Sequence, residues 1–74
     1  MIKKVVSLNT EFIKLDSLLK LIGEASTGGQ AKIMIQNGDI YVNNTVCLQR
    51  GKKIKNGDVI KVLENEYKVE ALDS

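Results

Sequence analysis

Between Thr27 and Asn44 the chain reads TGGQAKIMIQNGDIYVNN, a run that leaves little freedom of local structure. Thr27 can act as an N-cap, and Gln30 falls at N3, the spacing of a capping box. Ala31, Met34 and Ile35 recur at the spacing of one apolar helix face. Gln36-Asn37-Gly38 then supplies a C-terminal stop. Ile40-Tyr41-Val42 and Thr45-Val46-Cys47 flank Asn43-Asn44, a pair that tolerates the positive φ of a type I′ turn. A short helix that stops at a glycine and runs into a hairpin points to a small α+β fold. Taken by itself, the same run also fits a well-capped core helix with no ligand at its start.

The remaining segments extend this pattern. Residues 4–8 suit a short first strand. Leu15, Leu18, Leu19 and Ile22 follow the i, i+3, i+4, i+7 order of an amphipathic helix, with Asp16 in its first turn and Gly23 as a C′ residue. Phe12, just ahead of this helix, is expected to staple it to the core. Glu24-Ala25-Ser26 is a brief connector, so the two helices should pack as an angled pair burying Leu18, Leu19, Ile22, Ala31, Met34 and Ile35. Asn56-Gly57-Asp58 is a turn leading into Val59-Ile60-Lys61-Val62-Leu63, and Glu64-Asn65-Glu66 reverses the chain again. In the last strand Tyr67, Val69 and Ala71 alternate with Lys68 and Glu70, one face inward and one outward. The expected architecture is α+β, two short packed helices against a small, mostly antiparallel sheet. Tyr41 and Tyr67 are expected to be half-buried packing residues, and Asp39, Asp58 and Asn43 to bond their own turns.

At 74 residues the chain is expected to form one domain, residues 1–74. Such a chain buries roughly 60% of its unfolded surface, which implies modest stability. Its apolar runs are too interrupted for a membrane span, and only Val5-Val6 follows Lys3-Lys4, too little for a signal peptide. A cytoplasmic location is therefore expected. The single cysteine, Cys47, fits a reducing compartment and reads as a small buried hydrophobe. With no histidine and scattered carboxylates, catalysis, a metal site and a cofactor are not expected.

Net charge is only +2, but it is unevenly spread. Residues 1–63 hold ten basic and five acidic side chains, whereas 64–74 hold Lys68 against Glu64, Glu66, Glu70 and Asp73. Between Asp39 and Asp58 there is no acid, and four bases sit there: Arg50, Lys52, Lys53 and Lys55. A helix start with uncovered amides beside such a run is suited to phosphate. Thr27, Gly28, Gly29 and Gln30 would form the cradle, with no Cβ at the two glycines to keep an anion away. Lys32 lies one turn on. Arg50, Lys52 and Lys53 would add a flexible cationic rim, with Lys14 and Lys55 as further cations. Arg50 stands out, because a guanidinium can pair with phosphate and also stack on a base.

In order along the chain stand Lys14-Leu15-Asp16-Ser17-Leu18-Leu19 and Thr27-Gly28-Gly29-Gln30-Ala31-Lys32. Ile35-Gln36-Asn37-Gly38-Asp39-Ile40-Tyr41-Val42-Asn43 and Ile54-Lys55-Asn56-Gly57-Asp58-Val59-Ile60 follow. This set resembles the S4 RNA-binding domain over most of the chain, in the variant of the small stand-alone S4 proteins of bacteria. The resemblance implies the alpha-L fold and a module that binds structured RNA, ribosomal or transfer RNA. A noncatalytic monomer with a ribosomal particle as a further partner and no membrane is the accompanying expectation. The chain departs from the family in having Gly28 where arginine often follows the capping serine, and Lys14 and Lys32 where arginine is frequent. Asn44 and Thr45 replace the commoner glycine-containing hairpin turn. The competing reading is a small protein-interaction adaptor using the sheet and its acidic C-terminal strand. A cysteine-dependent or carboxylate enzyme is a third.

Overall fold

The computed structural model describes residues 2–72; Met1, Asp73 and Ser74, the ends of the expected 1–74 domain, lie outside the described part. Among the described residues the chain runs β1 (Lys3–Ser7), β2 (Phe12–Lys14), α1 (Leu15–Leu21), α2 (Gly28–Gln36), β3 (Ile40–Val42), β4 (Thr45–Val46), β5 (Lys53–Lys55), β6 (Val59–Val62) and β7 (Asn65–Glu70).

The helices are seven and nine residues long. Isolated helices shorter than about 12–15 residues are marginal in water, so caps and packing must hold these two. α1 buries Leu15, Leu18 and Leu19 completely. Gly23 (φ +82°) closes it, its N–H donating to the Lys20 carbonyl at 3.2 Å while the Glu24 N–H reaches Leu19 at 3.0 Å, a Schellman pair. At the start of α2 the Thr27 hydroxyl oxygen accepts from the Gln30 N–H at 3.1 Å. Gln30 Oε1 accepts from Ser26 N–H at 2.6 Å, so this capping box reaches one residue further back than the usual form. Gly38 (φ +79°) ends α2 with a second Schellman pair through Asp39 and Met34. Ala31 and Ile35 are buried with the α1 leucines, while Ile22 and Met34 are only half-buried against the cluster.

The main sheet has the order β1-β7-β6-β3-β4 and is antiparallel except between β1 and β7, which pair in parallel from Lys3↔Glu66 to Ser7↔Glu70. Asn43 (φ +52°) and Asn44 (φ +70°) give the β3–β4 hairpin its two left-handed turn residues. Ile40, Val42, Ile60, Val62, Tyr67 and Val69 turn inward, as period-2 alternation requires. Tyr41 does not pack as expected: it is 43% exposed, because its cross-strand partners Lys61 and Val46 share the open face. Leu63 also leaves the expected strand, taking φ +55° in the β6–β7 turn. The acidic last strand is interior to the sheet rather than at an edge, and Glu66 sits between Lys3 and Lys61.

A second sheet of two strands, β2 and β5, departs from the sequence expectation. Its register pairs Phe12↔Lys55, Ile13↔Ile54 and Lys14↔Lys53. Ile54 is fully buried and Ile13 packs beside the core, which sends the flanking residues of both strands outward. Phe12 is therefore not a staple: it is 40% exposed. Lys53 belongs, with Lys55, to a paired strand rather than to a flexible rim.

Candidate nucleic-acid interface

The basic loop between β4 and β5 is placed by the first turn of α1. Its residues Leu15 and Asp16 carry amides with no intrahelical partner. Those N–H groups donate to the carbonyls of Lys52 (2.9 Å) and Arg50 (3.1 Å), so the loop backbone caps the helix. The Lys14 side chain makes no cap, and the Asp16 carboxylate takes the Ser17 N–H at 2.8 Å. The other Asp16 oxygen accepts from Arg50 Nε at 3.1 Å. Partial burial works against ionisation of Asp16. The Arg50 hydrogen bond, the Ser17 amide and the charges of Arg50 and Lys20 outweigh it and hold the carboxyl below its ordinary 3.8.

Anchored this way, Arg50 lies across the starts of both helices. Its Nη2 sits 3.7 Å from where a Cβ on Gly28 would be, so the guanidinium rests against the first residue of α2. Arg50 is thus placed beside Gly28 at the start of α2, next in the chain to Thr27, Gly29 and Gln30. Arg50 Nε is engaged by Asp16, which leaves the Nη donors on the side of α2. Lys32 is exposed on α2 one turn beyond Gly28.

Lys14, Lys53 and Lys55 form a separate group on the outer face of the β2–β5 ribbon, with Lys14 directly opposite Lys53. Lys53 Nζ stands 4.9 Å above the Phe12 ring. Lys52 joins neither group: its carbonyl caps α1, and its side chain lines a cleft with Asn43, Thr45, Gln49 and Asp58 of the hairpin side. Among the described residues, the Arg50–Asp16 pair is the one ion pair. Asp58 braces the hairpin, accepting from the Lys55 N–H at 2.8 Å and from Asn43 Nδ2 at 3.0 Å. Asn43 Oδ1 in turn accepts from the Val59 N–H at 2.9 Å. Two contributors escaped the sequence reading. From the sequence Asp16 reads only as a first-turn residue, and Phe12 as a staple to the core. Phe12 carries no local signal, because the triplets Phe12-Ile13-Lys14 and Lys53-Ile54-Lys55 are too short to show a period.

A helix pair on a small sheet, with cations gathered at the second helix and along a ribbon, defines a small binding module of the alpha-L class. The chain belongs to the S4 RNA-binding domain family, whose S4 domain model matches residues 6–70. It is 35% identical over 57 residues to a Bacillus subtilis (strain 168) protein described as probable ribosome maturation protein RlbA, covering 77% of this chain and 80% of that one. Its fold is similar to the solution structure of YbcJ from E. coli, described as revealing an alfaL motif involved in RNA-binding. The TM-score is 0.64 at 30% identity, over 96% of this chain and 89% of the other.

Proposed function

We propose that the chain is a noncatalytic protein that binds structured RNA through the start of α2, Arg50 and the lysines beside them. The setting of Arg50 carries this reading. Asp16 holds the guanidinium in place, and its Nη2 lies against Gly28 at the start of α2, whose uncovered amides suit phosphate. Thr27, Gly28, Gly29 and Gln30 form the cradle, with Lys32 a turn away and Lys14, Lys52, Lys53 and Lys55 as outlying cations. Ribosomal RNA is favoured over transfer RNA by the ribosome maturation role given to the Bacillus relative. On this reading the protein works as a cytoplasmic monomer in ribosome assembly. Absence of histidine, and a Cys47 thiol directed to the Gln49 carbonyl, favour binding over catalysis.

RNA crosslinked to the protein in cells should be enriched in one ribosomal region. That enrichment should be lost in a folded Arg50→Ala/Lys52→Ala/Lys53→Ala variant. In vitro, about four or five phosphate contacts give a slope of log affinity against log salt of roughly −3 to −4. A salt-insensitive affinity would sink the mechanism.

A further inference from the structure

We propose that Phe12 is a base-stacking site: one unpaired nucleotide of the bound RNA lies on its ring while Lys14, Lys53 and Lys55 hold the flanking phosphates. The inference rests on the RNA-binding reading and specifies the RNA as a duplex interrupted by an unpaired base.

The β2–β5 ribbon has an inner face, Ile13 and Ile54, committed to the core. Its outer face carries one aromatic ring and three lysines, and neither strand contains a carboxylate. Lys14 directly opposite Lys53 is a like-charge cross-strand pair, an arrangement that costs stability unless an anion lies between. The Lys53 ammonium sits over the ring. An exposed cation–π contact is worth about 2- to 5-fold in an equilibrium, whereas stacking a base on an aromatic ring is worth about 5- to 150-fold. A base therefore displaces the ammonium, and Lys53 is released towards the phosphate beside that base. Tyr41, the other exposed aromatic on a strand, belongs to the five-stranded sheet, so this face offers a single ring. One ring reads one base, and the remaining cations suit the backbone of a folded RNA.

The test uses the absence of tryptophan from the chain. Phe12→Trp introduces a sole indole, whose fluorescence is followed against two end-labelled RNA hairpins at low salt. One has a single bulged adenosine; the other is fully paired and otherwise identical. Binding is read independently from label anisotropy. The expected result is quenching by the bulged hairpin alone, with at least a 5-fold affinity loss for that hairpin in Phe12→Ala and Phe12→Leu and little change for the paired one. Phe12→Leu keeps apolar volume, and circular dichroism establishes that each variant is folded. Tyr41→Ala should leave both affinities unchanged. Binding without quenching, and with wild-type affinity in Phe12→Leu, overturns the stacking site but leaves RNA binding intact. No anisotropy change for either hairpin with the unaltered chain overturns the RNA-binding reading, and the stacking site with it.

Discussion

Arg50 depends on a residue far from it in sequence. Asp16 orients the guanidinium through Nε, and the backbone of the same two residues is joined by the Asp16 N–H and Arg50 carbonyl. Side chain and main chain thus fix the loop twice, while the Nη groups take no part in the bond to Asp16. Asp16 is also a favourable charge at a helix start, four residues ahead of Lys20 in the last turn. Because its pKa lies below 3.8 in the folded chain, the folded state prefers the carboxylate. The stabilisation is therefore fully present above about pH 4 and disappears as pH falls through the lower folded value. Asp16→Asn should cost about 0.5–1 kcal/mol at pH 7, a small figure because Arg50 is half exposed. Thermal melts of both proteins from pH 7 to pH 2 should converge at the acid end. A gap that persists unchanged at pH 2 would show that Asp16 acts without its charge.

Among the elements, the β2–β5 ribbon links core to surface most directly. Ile54 is wholly buried in a strand whose neighbours Lys53 and Lys55 are both exposed. Ile54→Ala should cost about 2–5 kcal/mol by cavity formation, and Ile54→Val about 0.5–1.5 kcal/mol. Urea titration checks both, with a shifted midpoint and an unchanged slope for the valine variant. An Ile54→Ala midpoint equal to wild type would mean that the ribbon is not anchored as described. This element also shows where sequence reading stopped. Both helices, the Asn43-Asn44 hairpin and the alternating last strand declare themselves through local period and turn chemistry. The Thr27–Gln30 cap does so through its spacing. A three-residue strand has no period to detect, and β2 finds its partner about forty residues away, from Phe12 to Lys55. The Asp16–Arg50 bond spans 34 residues and has no local signature either. What was missed is pairing at long sequence separation, and it is the part that positions the cations.

Across the whole molecule, one carboxylate joins the helix connector to the sheet. Glu24 Oε2 accepts from Asn65 Nδ2 at 2.9 Å and from the Tyr67 hydroxyl, while Asn65 Oδ1 accepts from the Ile2 N–H at 3.2 Å. The α1–α2 connector, β7 and the lead-in to β1 therefore meet at one polar junction over the core. Tyr67 is only 5% exposed. Burial, then the hydrogen bond and charge of Glu24, push its pKa up to about 12 from an ordinary 10. The folded chain holds this proton more tightly than the unfolded one. Its contribution is fully present below pH 10 and is lost as pH rises towards 12, a change on the order of 2 kcal/mol. Tyr67→Phe removes the titrating group together with the hydroxyl bond to Glu24. The variant should be less stable than wild type at pH 7 by about 1.5–3 kcal/mol, the range for a hydrogen bond to a charged group. Between pH 10 and 12 its disadvantage should shrink, because wild type alone loses the Tyr67 contribution over that interval. Urea midpoints for the two proteins at pH 7, 10 and 12 measure the difference directly, with effects common to both chains cancelling. A disadvantage that stays constant to pH 12 would mean that Glu24 and Tyr67 do not share the proton-linked bond that ties the helix connector to the sheet.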